Sequence, residues 1–135
     1  MKLLGFNLTK IDAEKKSSSF EGLKIETKID IKDILEAKQD VLQFKDKVVM
    51  IQFSYDINYK KDIAKLSLEG NLLLSVDEKM FSEIIDKWKN KEMPGDFKLV
   101  LFNIIMKKTS LKALELEDDL ALPFHIQFPS VRKKE

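Results

Sequence analysis

Val49–Val76 runs VMIQFSYDINYKKDIAKLSLEGNLLLSV, and its period decides the fold. Val49, Ile51, Phe53, Tyr55, Ile57 and Tyr59 recur at every second residue, which places one apolar row on one face of a strand. Lys60-Lys61-Asp62 interrupts the row as a tight hairpin turn. Ala64, Leu66, Leu68, Gly70, Leu72, Leu74 and Val76 then resume the same period. Two long strands joined this closely pair antiparallel.

Toward the N-terminus the pattern repeats twice. Leu23, Ile25, Thr27, Ile29 and Ile31 alternate with Lys24, Glu26, Lys28 and Asp30. Leu4, Phe6 and Leu8 alternate as well, and Ile11 with Ala13 continue one step out of phase, which predicts a bulge. Ser17-Ser18-Ser19 reads as a loop, and the weakly periodic stretch Asp33–Lys47 as a mobile connection. Four strands within about residues 2–76 therefore predict an antiparallel sheet, apolar on one face and wet on the other.

Toward the C-terminus the period lengthens. Ser75 and Glu78 have capping-box spacing, and Met80, Phe81, Ile84, Ile85 and Trp88 predict a helix over about 77–90. Met93-Pro94-Gly95-Asp96 ends it. A second helix is predicted over about 96–108, with Lys107 and Lys108 at its carbonyl end. Eight of the ten residues Phe97–Met106 are apolar and fall on all sides of that helix. One sheet covers one side, so a second copy of the chain is the expected cover for the rest. Residues 109–135 read as irregular, with a short helical turn near Glu117–Ala121 and an extended tail, Phe124–Phe128, bounded by Pro123 and Pro129. The expectation is one α+β domain over residues 1–135, a four-stranded antiparallel sheet followed by two helices packed on one face.

Composition narrows function. The 135 residues carry 24 basic and 23 acidic side chains, a net charge of +1 without the basic excess of a dedicated nucleic-acid binder. Arg132 is the single arginine, and Arg132-Lys133-Lys134 reads as a frayed tail. With no cysteine and one histidine, thiol catalysis, cysteine-ligated metals and two-imidazole sites drop out. Four scattered glycines leave no phosphate-cradling loop. Met1–Phe6 is too short for a signal core, and no apolar run reaches membrane-spanning length, so a cytoplasmic protein without membrane contact is expected.

Three features bear on chemistry. Glu115, Glu117, Asp118 and Asp119 lack the ligand spacing of a calcium loop and read as a solvated helix start. His125 is a general base or, more simply, a structural histidine. Phe53, Tyr55 and Tyr59 have no interleaved arginine and read as core, not as a base-stacking platform. No catalytic residue, metal or cofactor is assigned. The surplus apolar side chains Phe97, Leu101, Phe102, Ile105, Met106, Phe124, Ile126 and Phe128 remain, as a client-binding groove or an oligomer interface.

This order of elements, with Leu66-Ser67-Leu68-Glu69-Gly70-Asn71-Leu72, the helix ending at Trp88, Phe102-Asn103-Ile104-Ile105 and Leu122–Pro129, resembles the SecB-like export-chaperone family. The resemblance implies homodimers that pair into a homotetramer, and unfolded polypeptide clients held in apolar grooves without ATP. At matching positions the grooves would be lined by the Phe97–Met106 helix and the Phe124–Phe128 tail. The family's acidic surface for docking a translocase motor has no counterpart in a chain of net charge +1. General holding of unfolded chains, or service to one client such as an antitoxin, fits that balance. A scaffold subunit of the same fold without client binding is the alternative.

Overall fold

A computed structural model describes residues 1–38, 47–131 and 133. It contains β1 (Lys2–Lys15), β2 (Lys24–Glu36), β3 (Lys47–Lys60), β4 (Ala64–Val76), α1 (Glu78–Trp88) and α2 (Gly95–Asp119). The four strands form one antiparallel sheet in the order β1-β4-β3-β2, so the strands of the central hairpin lie inside and β1 and β2 form the edges. Residues 39–46, the middle of the expected connection Asp33–Lys47, lie outside the described residues, as do Arg132 and Lys134. The two ends of that stretch belong to β2 and β3.

The alternating rows become the core. In β3, Val49, Ile51, Phe53, Tyr55, Ile57 and Tyr59 are buried, and Leu66, Leu68, Leu72 and Leu74 stand beside them in β4. The predicted slip in β1 is a bulge between Leu8 and Lys10; a second lies between Leu3 and Gly5. Together they keep Leu3, Phe6, Leu8, Ile11 and Ala13 opposite the inward residues of β4. The crossover from β1 to β2 passes the hairpin tip, where the Ile63 carbonyl accepts from the Lys16 and Ser17 amides at 2.7 and 3.2 Å.

The helices differ from expectation at their ends. Asp77, not Ser75, caps α1: its carboxylate accepts from the Met80 amide at 2.7 Å, while Ser75 stays in β4 opposite Lys2 and Val48. The second helix runs to Asp119, well past the expected end at 108, and residues 109–119 are helical, not irregular. Its buried side is a ridge of four-residue steps, Phe97, Leu101, Ile105, Thr109, Ala113 and Glu117. Each step overshoots a full turn by about 40°, so the ridge winds about 200° around the helix. Apolar residues therefore appear on every side of the sequence wheel, although any one turn buries one side. The polar members Thr109 and Glu117 hide the end of the ridge. Lys107 and Lys108 consequently lie mid-helix, and the cation at the carbonyl end comes from β1, where Lys15 Nζ donates to the Leu120 carbonyl at 2.9 Å.

The end of α2 closes without glycine. The Leu122 amide donates to the Glu117 carbonyl at 2.8 Å and the Ala121 amide to the Asp118 carbonyl at 3.1 Å, a Schellman closure. Ala121 takes the left-handed position with φ 53°. Buried Leu122 supplies the apolar contact that accompanies the motif. The chain then turns back along α2 and delivers the tail to the core.

Two substitutions test this backbone from opposite directions. A β-carbon on Gly70 would overlap the Asn7 carbonyl oxygen and stand 3.2 Å from Leu8 Cα. Gly70→Ala should lower stability by about 1–3 kcal/mol. Ala121→Gly relieves the left-handed alanine and should raise stability by about 1 kcal/mol. Urea denaturation of both variants measures the two signs.

Candidate peptide-binding groove

The returning tail is fixed by a buried polar cluster. Glu117 is wholly buried. Its carboxylate receives the Tyr59 hydroxyl, the His125 amide at 3.0 Å and His125 Nδ1 at 2.7 Å. The Tyr59 hydroxyl also meets the Pro123 carbonyl at 2.7 Å. His125 Nε2 lies 3.3 Å from Ser110 Oγ, and the ring stands edge-on to Tyr55 with centroids 6.2 Å apart. Among the described residues, no buried side-chain nitrogen or oxygen lacks a partner. Burial raises both tyrosine hydroxyls above their ordinary value. For Tyr59, the hydrogen bond to Glu117 and the nearby carboxylate charge push the same way. For Tyr55, the Ser110 hydrogen bond opposes the rise and the Glu117 charge adds to it.

Ser110, His125 and Glu117 touch in the order of a hydrolase triad. Ser110 lies within α2, however, where backbone amides are consumed by helical bonds and present no oxyanion hole. The His125 side chain is 3 % exposed, so a substrate has no path to it. The acidic run splits: Glu117 enters the core, while Glu115, Asp118 and Asp119 stay at the surface at the helix end, not at a helix start.

The eight surplus apolar residues separate into two sets. Phe97, Leu101 and Ile105 are fully buried in the chain's own core, because their four-residue spacing follows the inward ridge. Their assignment to a groove or interface is corrected: as the chain is folded, they offer no area to another chain. Phe102 is half-buried, Met106 is 49 % exposed, and Phe124, Ile126 and Phe128 are 42 %, 41 % and 56 % exposed. Phe124 and Phe128 meet edge to face, 5.4 Å between centroids.

Phe102 belongs to a groove that sequence reasoning missed. Ile29 and Ile31 of β2, Trp88 at the end of α1, Met93 and Phe102 of α2 line a cavity of about 370 Å³. Trp88 is held by its indole N–H, which donates to Asp33 Oδ1 at 3.1 Å, just beyond a bulge in β2 between Ile31 and Asp33. Met106 lies one helical turn beyond Phe102 on α2 and is exposed. Ile29 pairs in register with Tyr55, against which His125 packs, so tail anchor and groove share one cross-strand pair. β2 is an edge strand paired only with β3 among the described residues, which leaves its outer backbone groups free beside the cavity. Ile29, Ile31 and Trp88 had been read only as members of apolar rows; what exposes them is the strand order, which their spacing does not encode.

No family model matches the sequence, and no curated protein matches it. Among solved structures, the chain is similar to a SecB-like chaperone of Mycobacterium tuberculosis in complex with a ChAD peptide from an antitoxin. The two are 16 % identical with a TM-score of 0.51, and the match covers 98 % of this chain and 92 % of that one. The fold is SecB-like. At this identity the likeness establishes the four-stranded antiparallel sheet with two helices, the α+β class expected from the sequence. Among the described residues, no helix is long and apolar enough to cross a membrane.

Glu117→Ala should lower stability by about 3–5 kcal/mol, because the Tyr59 hydroxyl and the His125 amide and ring lose their shared buried partner. The tyrosines predict an alkaline limit. Their folded values lie above the unfolded one, so their contribution is fully present below about pH 10 and is lost as pH rises through the folded values. Denaturant midpoints should fall above that pH, and Tyr59→Phe should flatten the fall.

Proposed function

We propose that this protein is a chaperone-like binder of unfolded polypeptide segments, acting without ATP as a homo-oligomer. One observation carries the reading: a groove walled by Ile29, Ile31, Trp88, Met93 and Phe102 lies against the edge strand β2. An extended segment would add its backbone to β2 and place alternate apolar side chains in the groove. The peptide-bound SecB-like neighbour supports this use of the fold. The triad-like cluster serves as a latch for the tail, so no enzymatic activity or cofactor is assigned. A cytoplasmic location accords with this role.

A scaffold without client binding is the second reading. Leu99 and Leu111 of α2 are 67 % and 70 % exposed, and a second copy could cover them. The native mass tests the oligomer in either case.

Aggregation of a slowly refolding client, followed without nucleotide, tests the first reading. Excess protein should delay aggregation, and Phe128→Ala should weaken the effect while shifting stability by no more than about 0.5 kcal/mol. A client that aggregates unchanged at every ratio would leave the scaffold.

A further inference from the structure

We infer that the groove selects apolar segments flanked by acidic residues; this rests on the groove reading above. The cavity is rimmed by Lys32, Lys91 and Lys98, against one lining carboxylate, Asp30. Asp30 is already engaged by Lys32 at 3.6 Å. The neighbouring carboxylate of Asp33 accepts from the Trp88 indole and the Ile34 amide. Lys91 and Lys98 have no carboxylate partner among the described residues. Their ammonium groups lie over the groove's two aromatic walls, Lys91 at 4.6 Å from the Trp88 ring centroid and Lys98 at 5.6 Å from that of Phe102. Each cation is thus held where an apolar side chain would enter, with a donor left for a carboxylate beside it.

The backbone gives a separate observation. Lys91 occupies the left-handed position of the Schellman turn that closes α1, with φ 59°. The Lys91 amide donates to the Trp88 carbonyl at 2.8 Å and the Glu92 amide to the Lys87 carbonyl at 3.0 Å. Glycine would relieve that position, so lysine stands there against the local backbone preference. What the lysine adds is a charge over Trp88. A near-neutral chain therefore carries a locally basic groove, and its complement is an unfolded segment with an apolar core and Asp or Glu at its ends.

Three fluorescent peptides with one shared Phe/Leu/Val core, flanked by Asp/Glu, Ser or Lys, are titrated against the full chain by anisotropy. The acidic peptide should bind about three- to tenfold tighter than the serine peptide, as expected for a few partly exposed ion pairs, and the lysine peptide more weakly. Added salt should narrow the spread. Lys98→Glu, a surface change, should reverse the order, and Lys91→Gln should narrow the gap between the acidic and the serine peptide. Equal affinities, or a preference for lysine flanks, would overturn the acidic selection and leave the groove reading standing. No binding of any peptide would overturn both; if the native protein is then a dimer that Lys98→Glu dissociates, the groove's occupant is a second copy.

Discussion

Glu117 imposes the constraint on which the C-terminal third depends. A carboxylate removed entirely from water must find donors nearby, and Ala113, the buried α2 residue one turn before it, has none to give. They come from two places distant in sequence: the Tyr59 hydroxyl near the end of β3, and the amide and imidazole of His125 in the tail. The cluster therefore joins sheet, helix and tail at one point. It also explains why the tail is ordered at all. Phe124, Ile126 and Phe128 are all partly exposed, and the polar anchor at His125, with buried Leu122 ahead of it, fixes the segment while leaving them in part uncovered.

That arrangement separates the two functions of the C-terminal apolar residues. The inward ridge of α2 builds the core, and the tail displays aromatic surface. A tail held by buried apolar side chains would have had none left to display. Holding it by His125 and Pro123 backbone and ring contacts keeps position and exposure independent, at the cost of burying polar groups that stabilise only while all of them are paired.

The sheet was legible because a strand's two-residue period is read directly from alternating side chains, and even the β1 bulge left a phase slip at Ile11. The hairpin turn was legible for the same reason. The helix ends were not. Asp77 and Ser75 both suit a cap, and only the position of β4's last pairing separates them. Beyond Pro123, the end of α2 lacked the ordinary signals: alanine stands where glycine usually does, acids where cations usually do, and Thr109 and Glu117 where the apolar ridge should continue. Each is explained by a partner distant in sequence, Lys15 for the carbonyl end and Tyr59 with His125 for the acid. The all-round apolar pattern of Phe97–Met106 comes partly from the same winding ridge, seen without its pitch, while Leu99 and Met106 stay exposed.

The groove was illegible for a topological reason. Ile29 and Ile31 look like Ile57 and Leu66 in sequence, and they differ only because β2 is last in the order β1-β4-β3-β2. An apolar row on a central strand is closed by neighbours on both sides. The same row on an edge strand ends in open space unless a helix covers it. Here α1 and α2 part around Met93 and leave part of it open. The charge balance has the same character. A total of +1 describes the whole chain, while the groove senses Lys32, Lys91 and Lys98 against two carboxylates that are already engaged, Asp30 and Asp33. Within a Debye length of about 8 Å, the local set, not the total, decides which segment is attracted.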